Sequence, residues 1–361
     1  MALALLAVLI VTAGQARELR RNGFIPVDSE WLISYGGGFH RRGLFGSIYM
    51  VLFPDGTAGL WLLFALQTAL WWLPLGYAVW WIHQCGYRWF ALALTLSPGA
   101  FMFPVWDAGG FGRKGMLGLS ALTLVAIAGR AHRPALRWLG VACAGLLFLV
   151  GAFSWEMTAV MLPAMIFLLR RVAGGRAQVA LRAGFVAIGA LGLLLGLAFP
   201  GTTGHRDAAC SAVVAQGVTD QVCSGVLRYI GEPVATIRAE IAHAYPTYLV
   251  YIPLILLSVL PLATSRWMQR HAVLAGTSLL MIAPLFAVAV DYGRWTNVVV
   301  LELLICLMSS EHRPRSTLGW NAPLTVIYLG SWALPHWIHT SLGPMRWGGL
   351  IAVIAQLWSS G

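Results

Sequence analysis

Long apolar runs alternate with short polar connections along almost the whole chain. The runs fall near residues 1–15, 58–82, 89–104, 115–129, 138–153, 157–169, 183–199, 246–264, 273–290, 297–309, 322–337 and 347–358. A helix needs about 20 apolar residues to cross roughly 30 Å of hydrocarbon, and several runs are shorter than that. The pattern predicts an all-α, polytopic membrane helix bundle of about 10–12 spans, because only backbone bonded within each segment is stable in lipid. No internal repeat or linker divides it, so residues 1–361 read as one integral membrane domain. Two outer connections are long, about 16–57 and 200–245. The first contains an apolar stretch, Gly43–Phe53, that is too short to span and reads as a re-entrant or interfacial helix.

Composition sharpens this picture. The chain is 59% apolar and only 10% charged, against about 25% charged for soluble domains. Its net charge of +11 comes from twenty-three arginines and a single lysine, Lys114. These lie mostly in short loops between apolar runs, which argues against a nucleic-acid partner. The run Ala2–Gly14 has no basic leader and no clear cleavage site, so it reads as a first helix.

Charge also orients the bundle. Arg88, the group Arg130/Arg133/Arg137, the group Arg170/Arg171/Arg176/Arg182, the pair Arg266/Arg270 and the pair Arg313/Arg315 fall on alternate loops. By the positive-inside rule that face is cytoplasmic. Eleven of the thirteen carboxylates then fall on the outer face. Cys210 and Cys223 are the two cysteines of the 200–245 loop, and a disulfide between them fits an oxidising outer compartment. Cys85, Cys143 and Cys306 lie in or beside spans and read as inert packing residues.

Candidate chemistry gathers on the outer face. His40-Arg41-Arg42-Gly43 opens the short apolar helix with two guanidiniums, which suit a phosphate or pyrophosphate. The same arginines can instead snorkel to lipid phosphates. Gly36, Gly37, Gly38 and Gly43 would let backbone approach a ligand and leave N–H groups for an anion. Asp107 can accept a proton while Arg113 and Lys114 hold a leaving phosphate; the alternative is a local salt bridge capping the next helix. Glu156 lies between two runs, where burial would raise its pKa towards that of a general base. It can equally be a structural partner of Arg113 or Arg294. Arg294 can bind phosphate with Asp291 orienting it, and Tyr292 can stack on a sugar or anchor the interface. Glu302 sits inside a span, and an intramembrane acid is a site candidate. His336, His339 and Arg346 line the last outer connection. No zinc spacing and no nucleotide motif is present, so neither metal nor cofactor is expected.

Arg41-Arg42-Gly43-Leu44, Gly112-Arg113-Lys114, Trp155-Glu156 and Asp291-Tyr292-Gly293-Arg294-Trp295, with many spans and a large outer loop, resemble bacterial polysaccharide repeat-unit polymerases and related polyprenyl-phosphate-dependent glycosyltransferases. The resemblance implies transfer, at the periplasmic face of the inner membrane, of a glycan linked to undecaprenyl pyrophosphate. Loop arginines would engage the pyrophosphate. The substrate would be a lipid-linked glycan, with membrane lipid and other polysaccharide-assembly proteins as partners. A sister resemblance is to GT-C transferases, which move one sugar from a polyprenyl-phosphate donor. Their catalytic acid in the first outer loop would correspond to Asp28 or Glu30. This chain has Asp-Ser-Glu where that family has paired acids. A transporter or flippase for an anionic lipid-linked sugar, a non-enzymatic scaffold and a membrane acyl- or phospho-group transferase are the competing readings.

Overall fold

The computed structural model describes residues 2–232, 245–287, 291–310 and 313–335, with a few positions outside these ranges. His336, His339, Arg346 and all of the run 347–358 but Gly348 and Gly349 lie outside the described residues. Helices account for the regular structure throughout: α1 (Ala2–Asn22), α2 (Asp28–Trp31), α3 (Leu44–Leu52), α4 (Gly56–Gln84), α5 (Trp89–Leu96), α6 (Phe103–Trp106), α7 (Gly115–Ala128), α8 (Pro134–Ser154), α9 (Leu162–Leu169), α10 (Gly175–Ala198), α11 (Thr203–Ala215), α12 (Tyr245–Ala263), α13 (Arg266–Arg270), α14 (Ala272–Ile282), α15 (Tyr292–Ser310) and α16 (Ala322–Gly330). Among the described residues there is no strand, only an isolated bridge between Ser265 and Ser316.

Among the described residues four helices, α4, α8, α10 and α15, are long and apolar enough to cross a membrane. The helix predicted over 89–104 is instead broken. α5 ends at Leu96, and Ser97-Pro98-Gly99 turns the chain before α6. Proline biases the preceding residue away from helix, and the Ser97 hydroxyl accepts the Gly99 N–H at 3.2 Å. α1 runs on to Asn22, so the first long connection starts later than residue 16. Hydropathy ends where Gln15 and Arg17 begin, whereas backbone bonding carries the helix one further turn and more.

By its packing the chain divides into two compact units. No polar linker marks the division. One boundary falls inside α4 at Pro74, where the ring removes a backbone bond from an otherwise apolar helix. The first unit comprises 1–11, 75–110 and 234–361, and the second 12–74 and 111–233.

In the first unit, α15 is the core element, with 94% of its apolar window buried. It packs on α12 and α14, and the Asn297 side chain donates to the carbonyls of Gly99 and Ala100. Tyr328 of α16 is buried against α5 through Ser97.

In the second unit, α7 is apolar on every side and lies at the centre, packed along α8 and against α9. Ser120 of α7 donates to the Leu70 carbonyl of α4 at 2.8 Å. α8 and α10 are outer helices that leave leucines such as Leu139, Leu146, Leu194 and Leu197 exposed. Continuous exposed apolar surface of this kind suits lipid rather than water. α10 approaches its neighbours through Gly189, Gly192 and Gly196, where a Cβ would meet Leu162, Ala152 and Glu156. Small residues three and four apart on one face permit that closeness.

Candidate functional site

The second unit builds its site around residues 25–45. The four residues of α2 are all buried. Asp28 accepts the Ile25 N–H at 2.9 Å and the Gln67 side-chain amide at 3.0 Å, tying the segment to α4. Burial pushes the Asp28 carboxyl up to about 7, against those two hydrogen bonds. Glu30 is 2% exposed and pairs with Arg113 at 3.3 Å. The Trp31 indole donates to the Gly112 carbonyl at 2.7 Å and meets Phe45 edge-on. Asp28 and Glu30, the acids a GT-C resemblance would make catalytic, therefore lie inside the packing of this segment.

Of the glycines predicted to approach a ligand, two approach protein. A Cβ on Gly37 would meet Ala208 and His205 of α11, and one on Gly43 the Tyr35 ring. The Phe45 N–H at the start of α3 goes to the Ser154 hydroxyl at 2.9 Å. That N–H is already used by α8, so it does not serve an anion.

His40, Arg41 and Arg42 form a turn stitched to the ends of α8 and α10. His40 is buried, with Nε2 2.8 Å from the Ser34 carbonyl and Nδ1 2.6 Å from that of Arg41. Burial holds His40 below its ordinary pKa although both contacts favour charge. The Arg41 N–H donates to the Phe199 carbonyl at 2.8 Å. Arg42 adopts φ 73°, a conformation uncommon for any residue but glycine. Lys114, predicted to bind phosphate, is fully buried instead, and Nζ donates to the carbonyls of Arg42 at 3.1 Å and Ser154 at 3.2 Å. An ammonium at the last carbonyls of α8 complements the helix dipole there.

Glu156 follows Trp155, whose extended backbone (φ −160°) ends α8. Its partners are neither Arg113 nor Arg294. Arg42 Nη2 lies 2.6 Å from Oε1 and Nε 2.9 Å from Oε2, a two-pronged pair. Arg41 Nη1 stands 3.6 Å from Oε1. Burial would raise the Glu156 pKa, as the sequence suggests, but the Arg42 and Arg41 guanidiniums outweigh it and hold the carboxyl down at about 2. Glu156 is thus a fixed anion and not a general base near neutral pH. Arg41 is itself lowered, first by the like charge of Arg42 and then by burial, with Glu156 opposing.

These groups face a recess lined by Tyr35, Phe39, Arg41, Arg42, Glu156 and Gly196 among others. Tyr35 stacks on Phe39 at 5.1 Å, and Phe39 meets Phe199 edge-on. The recess combines two guanidiniums, one carboxylate and an aromatic wall, and so can hold a small anion with an apolar attachment. Beyond it, a Cys210–Cys223 disulfide joins α11 to the following turn.

The remaining predicted site residues belong to the first unit. Asp107 is half-buried and accepts the Gly109 N–H at 3.0 Å, a local turn contact. Arg294 pairs with Asp291 at 3.4 Å. Tyr292 and Trp295 are buried, with Tyr292 stacked on Phe286 and donating to its carbonyl, so they pack the unit rather than present a face to a sugar. Glu302 is buried within α15 and faces Ser278 of α14. Cys85 and Cys306 are buried; Cys143 is exposed on α8.

Tyr35, Phe199 and the α10 glycines escaped the sequence reading as site residues. The Gly189, Gly192 and Gly196 spacing, which keeps one face of α10 bare, was the available signal. No protein-family model, no curated protein and no solved structure matches the chain. What defines it is therefore its helical architecture, with four helices among the described residues long and apolar enough to cross a membrane, and the arginine-lined recess.

Proposed function

We propose that the protein is a metal-independent membrane glycosyltransferase that acts at the periplasmic face on polyprenyl-(pyro)phosphate-linked sugars, polymerising polysaccharide repeat units. In this reading the bundle has 10–12 spans, α3 lies at the outer interface, and the arginine-rich short loops face the cytoplasm. The observation that carries the reading is the Arg41–Arg42–Glu156 recess at the ends of α8 and α10, two helices apolar enough to span. A lipid-linked sugar needs an apolar surface for its tail and a cation where phosphate charge develops as the glycosidic bond breaks. Exposed leucines on α8 and α10 supply the first, and Arg41 beside the Arg42–Glu156 pair the second. Glu156 here sets the arginines and takes no proton. The GT-C alternative, transfer of a single sugar from a polyprenyl-phosphate donor, uses the same recess.

A second reading, transport of an anionic lipid-linked sugar, is favoured by one observation, the buried Glu302 inside α15. The deciding experiment is to profile lipid-linked intermediates and glycan length in a null strain complemented with wild type or Arg41→Gln. Accumulation of single lipid-linked units without polymer is expected. Loss of one sugar only would favour the GT-C alternative. Normal glycan at normal membrane levels of R41Q would refute transfer at this recess.

A further inference from the structure

The two arginines of the recess are not equivalent. Arg42 is engaged from several directions. Its guanidinium is forked onto Glu156, its carbonyl receives the buried Lys114 ammonium, and its backbone sits in the left-handed region. Turning this side chain towards a ligand would break the fork and leave a mostly buried Glu156 without it, at a cost far above that of one exposed pair. Arg41 has its backbone fixed by Phe199 and His40, but among the described residues its guanidinium makes only the 3.6 Å contact with Glu156, and its side chain is 35% exposed.

Charge and size narrow the ligand. Two guanidiniums against one carboxylate leave one positive charge among the lining residues, since His40 is held towards its neutral form. The empty space is at most ≈ 240 Å³, counted out to open solvent. As an upper bound that falls below the roughly 300–1,000 Å³ of sites enclosing whole drug-sized ligands, so the recess does not enclose a glycan.

We infer that the recess is a binding site for a single phosphate group contacted by Arg41, with Arg42 and Glu156 as its fixed wall. This deepens the single-sugar alternative of the proposed function, whose donor is a polyprenyl phosphate, and rests on it for the identity of the substrate, a sugar-bearing lipid phosphate. Phosphate oxygens take charge-assisted hydrogen bonds from the Arg41 fork, while Tyr35 and Phe39 cover the apolar side. A phosphodiester brings one negative charge and matches the single surplus guanidinium; a pyrophosphate brings more charge than the recess offsets.

The test is direct binding of inorganic phosphate to the detergent-solubilised full chain, with inorganic pyrophosphate as comparison. Arg41→Gln is expected to weaken phosphate binding at least about tenfold, the loss of a charge-assisted contact. Arg176→Gln removes a positive charge at the opposite end of α10, outside the recess, and is expected to stay within about threefold of wild type. Binding retained in R41Q, or lost equally in R176Q, overturns the assignment. A measurement free of variants accompanies it: phosphate should protect Arg41 from phenylglyoxal in the wild-type chain, and protection of Arg42 instead overturns it. Two nanodisc compositions separate the sources. Weaker phosphate binding in phosphatidylglycerol than in phosphatidylcholine discs supports the site and assigns it to a lipid headgroup. The proposed transfer then fails while the site stands; equal binding leaves the substrate phosphate as its ligand.

Discussion

The Arg42 guanidinium grips the Glu156 carboxylate with two prongs, at 2.6 and 2.9 Å, from a backbone held at φ 73°. The two residues are 114 positions apart in sequence. Their pairing joins the first long connection to the end of α8. Neither is reached by regular structure alone: α8 stops at an extended Trp155, and the turn at Arg42 is pinned by Lys114. An uncommon backbone conformation persists where its surroundings over-determine it, and such positions gather at functional sites.

The pair should therefore be worth more than a surface ion pair. Glu156→Gln is expected to destabilise the solubilised protein by about 2 kcal/mol, the loss of hydrogen bonds to a charged partner that is mostly buried. Arg42→Gln should cost about the same, and combining the two substitutions should cost less than their sum. Urea melts of the four proteins close the cycle; strict additivity would refute the coupling.

Two carboxyls set opposite pH trends. Glu156 is held at about 2 against an ordinary 4.5, so its contribution is present above pH 4.5 and is lost as pH falls towards 2. Asp28 is pushed up to about 7 from 3.8, so the fold takes up a proton there, and stability falls as pH rises from about 4 to 7. Asp28→Asn should abolish much of that fall, on the order of 4 kcal/mol, and melt higher than wild type near pH 7. The buried Gln67 Oε1, which has no hydrogen-bond partner among the described residues, can accept the new amide. Melting temperatures of wild type and D28N from pH 4 to 8 decide this. Parallel curves would show that Asp28 does not titrate as described.

The helices were legible because apolar runs report burial or lipid contact whichever neighbour supplies it. α4, α8, α10 and α15 each sit on a predicted run. The site was legible in residue type but not in pairing. Arg41, Arg42 and Glu156 stand out as charges at helix mouths, yet which carboxylate meets which arginine depends on long-range packing that a one-dimensional pattern does not carry. The direction of the Glu156 shift was misread for the same reason. Burial alone raises a carboxyl, and only the unseen guanidiniums reverse it. Lys114 misled because lysine is ordinarily a surface residue; the two carbonyls that make its burial tolerable come from segments 40 and 72 residues away.

Glycine substitutions test the packing that presents Arg41. A Cβ on Gly46 would overlap the Ile33 carbonyl, which is backbone and cannot step aside. Gly46→Ala should cost roughly 3 kcal/mol or more, the upper range for overpacking. Gly184→Ala is the control: it lies within α10, meets nothing within 4 Å, and should stabilise by about 0.5–1 kcal/mol. Melting temperatures moving the same way in both variants would refute the distinction.

The disulfide reports both on stability and on the side of the membrane that α11 faces. Cys210 and Cys223 are bonded across 13 residues. Closing a loop of that length constrains the unfolded chain by about 3 kcal/mol in the chain-entropy model. The double substitution to serine should lower the melting midpoint accordingly. Such a bond persists in an oxidising compartment and is reduced in the cytosol. Intact cells treated with a membrane-impermeant maleimide should therefore leave Cys210 and Cys223 unlabelled until an impermeant reductant is added, after which both should react. Labelling before reduction would mean the bond is not formed in the cell. No labelling after reduction, in protein that labels once solubilised, would place α11 on the cytoplasmic side and invert the proposed orientation of the recess.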